Sequence, residues 1–313
     1  MAELKYLQEV LREDNTVLTV GTFDGVHEGH KAIMQTLVEK AKKRGARSVV
    51  VSFDPHPRDI INPGKDGIHL LTTLKERAEI LEEIGIDLLV VIPFDRDFSL
   101  LTSEEFVRNV IYNKIGVSEF VIGYDHHFGR DRKGTIETIE TLGEELGFDS
   151  YVVSRREMGN TTISSTVIRK VLSQEGDVVR ASQLLGRPYI LNAIVIHGDE
   201  RGRQIGYPTA NLRPESENKV IPKNGVYAVK VRLVDKWYGG MMNIGMRPTF
   251  DGEEKTLEVN IFDFDQMIYG KKLQVRFIDR IRDEVKFNGI ESLKAQLDED
   301  KKTSMAILEK LSA

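Results

Sequence analysis

The sequence predicts an α/β domain built on a parallel sheet, followed by a small antiparallel β-barrel with a terminal helix. Three observations carry this. Up to about Leu185 short apolar runs alternate with helical patterns, the order expected of a parallel sheet covered by helices. After Gly186-Arg187-Pro188-Tyr189 the apolar residues recur at every second position instead, as in Tyr227, Val229, Val231 and Leu233. The 313 residues, 40% hydrophobic and 30% charged, suffice for two ordinary domains with real cores, expected over 1–185 and 186–313.

In the first part, Val17 to Val20, Ser48 to Phe53, Asp87 to Pro93, Phe120 to Gly123 and Tyr151 to Val153 read as buried strands. Between them, Ile33, Met34, Leu37, Val38 and Ala41 line one face of a helix over Ala32 to Lys43. Thr73-Leu74-Lys75-Glu76 and Thr102-Ser103-Glu104-Glu105 read as capping boxes that open two more helices. In the second part, Leu191 to Ile196, Tyr227 to Leu233, Trp237 to Asn243, Leu257 to Ile261 and Leu273 to Phe277 give five or six antiparallel strands. A helix from Ile290 to about Leu311 follows, with Asp298-Glu299-Asp300-Lys301-Lys302 as a mixed-sign solvated face.

Composition narrows the function. A formal net charge of −5 gives no global attraction to nucleic acid, so a nucleic-acid partner is not expected. The absence of cysteine removes disulfides, thiolate catalysis and cysteine-based zinc sites together. No apolar signal core opens the chain and no stretch approaches a membrane span, so a cytoplasmic protein without membrane contact is expected; oligomeric state stays open.

The first candidate site is Gly21-Thr22-Phe23-Asp24-Gly25-Val26-His27-Glu28-Gly29-His30, which joins an apolar strand to an amphipathic helix. Its glycines let backbone approach a ligand, and the helix N-terminus aims free N–H groups and its positive dipole end at the same spot. His27 and His30 stand three apart, on one face of the first turn, where imidazoles can stabilise charge as a phosphoanhydride breaks. Downstream, Ile163-Ser164-Ser165-Thr166-Val167-Ile168-Arg169 sets consecutive hydroxyls at a helix start and an arginine on its second turn. Alone, that is an ordinary serine cap; in company with the first loop it suits the outer phosphates of a triphosphate. Phe53-Asp54-Pro55-His56-Pro57 is a proline-bounded turn that would hold a substrate loop near this site.

The first string resembles the His-x-Gly-His signature of the nucleotidyltransferases, and its lead-in resembles their FAD synthetase branch. Ser-Ser-Thr-x-x-Arg resembles their second signature. The resemblance implies a Rossmann-like domain in which Gly21, Phe23, Asp24, His27, Gly29, His30, Ser164, Ser165, Thr166 and Arg169 serve ATP and the transfer of its adenylyl group. Gly123-Tyr124-Asp125-His126-His127-Phe128-Gly129 is similar to a further loop of that family, with Asp125 at its Asn/Asp position and His126-His127 in place of the commoner Phe-Arg.

In the second part, Gly198 to Leu212 forms a long polar loop with three glycines, whose backbone N–H groups can wrap phosphates. Thr209 and Asn211 alternate with Ala210, so in extended chain they point the same way and offer neutral oxygens to Mg²⁺ arriving with ATP. Glu258 lies on the strand face opposite Leu257, Val259 and Ile261, uncommitted to the core. Gly206-Tyr207-Pro208-Thr209-Ala210-Asn211-Leu212 resembles the flavokinase signature; Asn243 to Phe250 and Arg282 to Phe287 resemble its companions. That resemblance implies Glu258 as base, Thr209 and Asn211 as metal ligands, and Gly206, Pro208 and Asn243 as nucleotide or flavin contacts, with Arg276 against product phosphate.

Together the resemblances imply a bifunctional FAD synthetase that phosphorylates riboflavin to FMN and adenylylates FMN to FAD, using ATP and Mg²⁺. The alternatives are an adenylyltransferase with one live half, or a flavin-responsive regulatory or RNA-binding protein reusing these domains.

Overall fold

The computed structural model describes residues 2–311 other than 63, 65, 66, 125, 126, 131, 132, 155, 156, 159, 160, 199–201, 203, 204, 250 and 251. The chain forms two compact units, Met1–Ser165 and Thr166–Ala313.

Six strands form the sheet of the first unit: β1 (Glu3–Tyr6), β2 (Thr16–Val20), β3 (Arg47–Asp54), β4 (Leu88–Pro93), β5 (Glu119–Gly123) and β6 (Asp149–Val153). Their order is β1-β4-β3-β2-β5-β6 and every pairing is parallel. The central strands are near-continuous apolar runs because both faces are covered. Leu18, Val51 and Ile92 enter one core with Phe106 and Phe120, while Val17, Val50 and Leu89 enter the other. Helix α1 (Glu28–Arg44) covers the second core with Met34, Leu37, Val38 and Ala41, and begins four residues before the expected Ala32. Both expected capping boxes form: Thr73 opens α2 (Leu74–Ile84), and Thr102 opens the helix over 103–115. Strand β2 lies between β3 and β5, where the connections reverse direction, so the loop that follows it opens at the switch point of the sheet.

The short strand β1 has no counterpart in the sequence reading. It pairs only with β4, at the sheet edge, and its apolar residues Leu4 and Tyr6 are exposed, so no buried run advertises it. A two-stranded pair, β7 (Glu157–Met158) and β8 (Thr161–Thr162), is likewise too short to show a period.

In the second unit, strands β9 (Tyr189–Ile196), β10 (Ala210–Pro214), β11 (Gly225–Leu233), β12 (Lys236–Thr249), β13 (Gly252–Ile261) and β14 (Lys272–Arg282) close a barrel in the order β10-β13-β12-β11-β14-β9. Leu191, Val229, Met242, Val259, Val275 and Phe277 fill it, each at most 0% exposed. The sequence reading runs its polar loop from Gly198 to Leu212; from Ala210 the chain is instead a strand, Ala210–Pro214, that closes the barrel, paired to β9 and β13. Only Leu212 of its side chains is buried, too little for period two to show.

Helix α3 (Ser165–Lys170) begins at the unit boundary, and α4 (Val178–Leu185) packs on β14 and β9 with Val178, Ala181, Leu184 and Leu185 buried. The residues from 166 to 185 therefore group with the barrel, whereas the sequence reading expects the domain boundary near Leu185. Helix α5 (Ile290–Lys310) lies on the outer barrel face, where Leu308 joins Tyr207, Met241 and Phe262 in a small apolar cluster. Its expected solvated face is interrupted: Asp300 is 1% exposed and accepts a two-pronged contact from Arg282.

Candidate active sites

After β2 the chain turns through three residues with positive φ, Phe23 (44°), Gly25 (85°) and Val26 (39°). For a β-branched residue such as Val26 this is strained backbone, held only where the surroundings over-determine it. Asp24 supplies that hold. Its side chain is buried, and it accepts the N–H groups of Leu71 (3.0 Å) and Thr72 (2.9 Å) and the Thr72 hydroxyl (3.2 Å). The Thr72 hydroxyl in turn accepts the N–H of Gly25 at 2.9 Å. Arg77 faces Asp24 at 3.9 Å and donates to Ser52 Oγ at 2.7 Å; Ser52 Oγ donates to the carbonyl of Thr22 at 3.1 Å. Burial pushes the Arg77 guanidinium below its ordinary value, and the carboxylate of Asp24 opposes that shift. Asp24, expected among the ligand contacts, is thus committed to shaping the loop.

The shaped loop presents the two histidines. His27 caps α1, its Nδ1 accepting the N–H of His30 at 3.3 Å, and the two rings stack with centroids 3.6 Å apart. Phe23 braces the pair edge-on to His30 at 5.1 Å. Small residues are needed around them: a Cβ on Gly21 would lie 2.9 Å from the Phe23 ring, and one on Gly29 3.3 Å from the His27 ring. The second signature arrives at the same place, since the hydroxyl of Ser165 donates to the carbonyl of Asp24 at 2.8 Å. Ser164 precedes it, and Thr166 and Arg169 follow on α3. Asp125 and His126 lie outside the described residues.

Phe53, Phe94, Phe98, Phe106 and Phe128 form a chain of ring contacts with centroids 5.5 to 6.2 Å apart, starting at the carboxyl end of β3. The sequence gives little sign of it, because the five rings come from four separate segments.

In the second unit the outer face of the barrel carries the other cluster. Glu258 on β13 lies directly across from Asn211 on β10 and from Asn243 on β12. Thr209 Oγ1 donates to Glu258 Oε2 at 3.3 Å, and Asn260 Nδ2 holds the carbonyl of Pro208 at 2.7 Å. Gly206 turns the chain with φ 83°. The fit is close at Gly198, where a Cβ would meet Asn211 Nδ2 at 2.0 Å. Glu284 comes up beside Gly245, whose Cβ would be 2.5 Å from its Oε1 and 3.3 Å from Asn243 Nδ2. Four of the expected residues, Thr209, Asn211, Asn243 and Glu258, are therefore neighbours.

Arg276 is not among them. Strand β14 stands on the opposite wall of the barrel from β13, and the Arg276 guanidinium stacks on Trp237, 4.2 Å from the ring centroid. Alternation along the strand told which face it takes, but the strand order decides which wall. Among the described residues no group of three or more His, Cys, Asp or Glu could hold a metal ion.

Two family models match the chain: FAD synthetase over residues 10–167 and riboflavin kinase over 185–308. The chain is similar to curated proteins named bifunctional riboflavin kinase/FMN adenylyltransferase. That of Listeria monocytogenes is 38% identical over 298 residues, 95% of this chain and 94% of the relative. That of Bacillus subtilis is 38% identical over 294 residues, 93% and 92% of the two chains. A crystal structure described as a macrolide-efflux protein from Streptococcus pneumoniae superposes with a TM-score of 0.88 at 35% identity, covering 96% of each chain. Among the described residues of this chain, no helix is long and apolar enough to cross a membrane.

Proposed function

The chain belongs to the bifunctional riboflavin kinase/FMN adenylyltransferase family, and we propose that it converts riboflavin to FMN and FMN to FAD at two separately built sites. The observation that carries this is the presence of both phosphate-handling clusters in one chain: the stacked histidines at the start of α1, and the Thr209, Asn211, Asn243 and Glu258 group on the barrel.

In the kinase step Glu258 takes the proton of the primary hydroxyl of riboflavin as that oxygen attacks the γ-phosphorus of ATP, and ADP leaves. Glu258 suits this because strand alternation keeps its carboxylate out of the barrel core. The donor set beside it consists of oxygens, from Thr209, Asn211 and Glu258, and is too small to cage a bare ion. It fits Mg²⁺ that arrives on ATP and keeps part of its water. When bound, that ion would neutralise charge on the phosphates. Asn243, directly across from Glu258, and the backbone at Gly206 and Pro208 would contact the nucleotide or flavin.

In the second step a phosphate oxygen of FMN attacks the α-phosphorus of ATP and pyrophosphate leaves. His27 and His30 hydrogen-bond the phosphates, Ser164 and Ser165 hold the outer ones, and the N-terminus of α1 adds its dipole. The half-buried rings of Phe53 and Phe98, tilted 55° to one another, offer aromatic surface against which a flavin ring would pack. Dependence on ATP in both steps fits a cytoplasmic enzyme.

The test is incubation of the protein with riboflavin, ATP and Mg²⁺, with the flavins separated over time. FMN followed by FAD is expected; absence of product from riboflavin and from added FMN would overturn the reading.

A further inference from the structure

One turn of α5 holds both chain segments that flank the kinase cluster. On one side, the hydroxyl of Tyr207, two residues before Thr209, donates to Oδ1 of Asp298. On the other, Asp300 accepts from Arg282 Nε at 2.9 Å and Nη2 at 2.7 Å, and from Gln296 Nε2 at 2.9 Å. Arg282 ends β14, two residues before the Glu284 that lies beside Gly245. The body of Tyr207 is 8% exposed, packed with Met241, Phe262 and Leu308, so its only polar atom is aimed at the helix. Burial and the Asp298 carboxylate push its phenol up to about 12, so the hydroxyl stays a donor throughout the working pH range. Its backbone is pinned as well: Tyr207 N–H donates to the carbonyl of Gly202 at 2.8 Å, and a Cβ on Gly202 would lie 2.2 Å from the Tyr207 carbonyl oxygen.

We propose that Asp298 and Tyr207 form a positioning latch, through which the terminal helix sets the turn that leads into Thr209 and the start of β10, where Asn211 lies, for nucleotide binding. The inference rests on the kinase reading given above. A carboxylate on a rigid helix fixes a tyrosine ring, the ring fixes the 205–208 turn, and the turn fixes Thr209 against Glu258. Neither Asp298 nor Tyr207 reaches the Glu258 cluster in any hydrogen bond described above, so their effect falls on binding rather than on the chemical step.

The experiment compares Tyr207→Phe, Asp298→Ala and the double variant in the full chain. Phe keeps the apolar body of Tyr207, and Asp298 is exposed, so the fold is kept. Each single variant is expected to raise the kinase KM for Mg·ATP by about tenfold, the size of one charge-assisted hydrogen bond, with kcat changed less than about twofold. The double variant is expected to be no worse than either single one, which marks the two as one unit. Conversion of added FMN to FAD serves as the internal control and should not change. Hydrogen exchange of the 205–211 amides, read without turnover, should accelerate in all three variants. Unchanged exchange and unchanged KM, or additive effects in the double variant, would overturn the latch. Accelerated exchange in a protein whose wild type makes no FMN would instead overturn the kinase reading and leave the latch as a restraint on the loop.

Discussion

Glu258 and Asn211 face each other across paired strands, while their neighbours Leu212, Leu257 and Val259 are the buried side chains, so the carboxylate has no packing role to lose. Glu258→Gln keeps the size and the hydrogen bond from Thr209 but cannot take a proton. It is expected to lower riboflavin phosphorylation by about 10²–10⁴-fold, the range for a general base, and to leave conversion of FMN to FAD intact. Assay of the two steps separately checks this; unchanged phosphorylation would remove Glu258 from the mechanism. In the other unit His30 is a cleaner probe than His27, because His27 also caps α1. His30→Ala is expected to slow adenylyl transfer by about 10²–10³-fold, as for loss of one donor to a developing charge, while the kinase step continues. Asp24 calls for a different measurement. Removing its charge by Asp24→Asn takes from the buried Arg77 the carboxylate that acts on it most, leaving only the weaker influence of Asp54 and Glu76, and is expected to cost up to about 3–5 kcal/mol, the range for a broken buried pair. Loss of thermal stability, rather than a selective kinetic defect, is therefore the expected signature.

The elements show why some parts of the molecule could be read from the sequence and others could not. The β2 strand, the α1 helix and the glycine-rich turn between them are local: apolar run, turn residues and amphipathic face lie consecutively, so the position of His27 and His30 was legible. Both capping boxes were legible for the same reason, being four-residue patterns. Strand β10 was not, because its role is set by partners far along the chain, and one buried leucine does not make a period. Arg276 shows the same limit from the other side: alternation fixes a face, but the order of strands in a closed barrel is set by long-range pairing. Tyr207 and Asp298 are 91 positions apart, so neither motif nor spacing joins them. The capping box at Thr102 yields a prediction at this scale. The N–H and hydroxyl of Thr102 both donate to Glu105 at 2.9 Å, and these bonds hold its carboxyl below the ordinary value. A depressed folded-state pKa contributes stability that is present above the unfolded value, about 4.3 for Glu, and is lost as pH falls through the folded one. Glu105→Gln retains a capping residue that does not titrate. The stability gap between wild type and variant should be flat above about pH 5 and shrink below pH 4, as followed by denaturant unfolding across pH.

At the scale of the whole molecule, each cluster draws its principal groups from one compact unit: His27, His30, Ser164 and Ser165 from the first, Thr209, Asn211, Asn243 and Glu258 from the second. Each unit has its own buried interior, the two-sided sheet in one and the closed barrel in the other. A change confined to one cluster is therefore expected to leave the other unit's own interior intact. This makes a concrete expectation for two full-length variants, His30→Ala and Glu258→Gln. From riboflavin, the first should stop at FMN and the second should make neither product. Mixed in equal amounts, they should form FAD after a lag, since FMN released by the first chain is the substrate of the second. The lag should shorten as total protein is raised, because both the supply of FMN and its capture increase. A mixture that accumulates FMN without FAD, while the Glu258→Gln chain still adenylylates added FMN at high concentration, would show that FMN leaving one chain does not reach the level the other needs. Failure of that chain to use added FMN at any concentration would show that the barrel substitution acts on the first unit, and the independence argued from the two cores would fall.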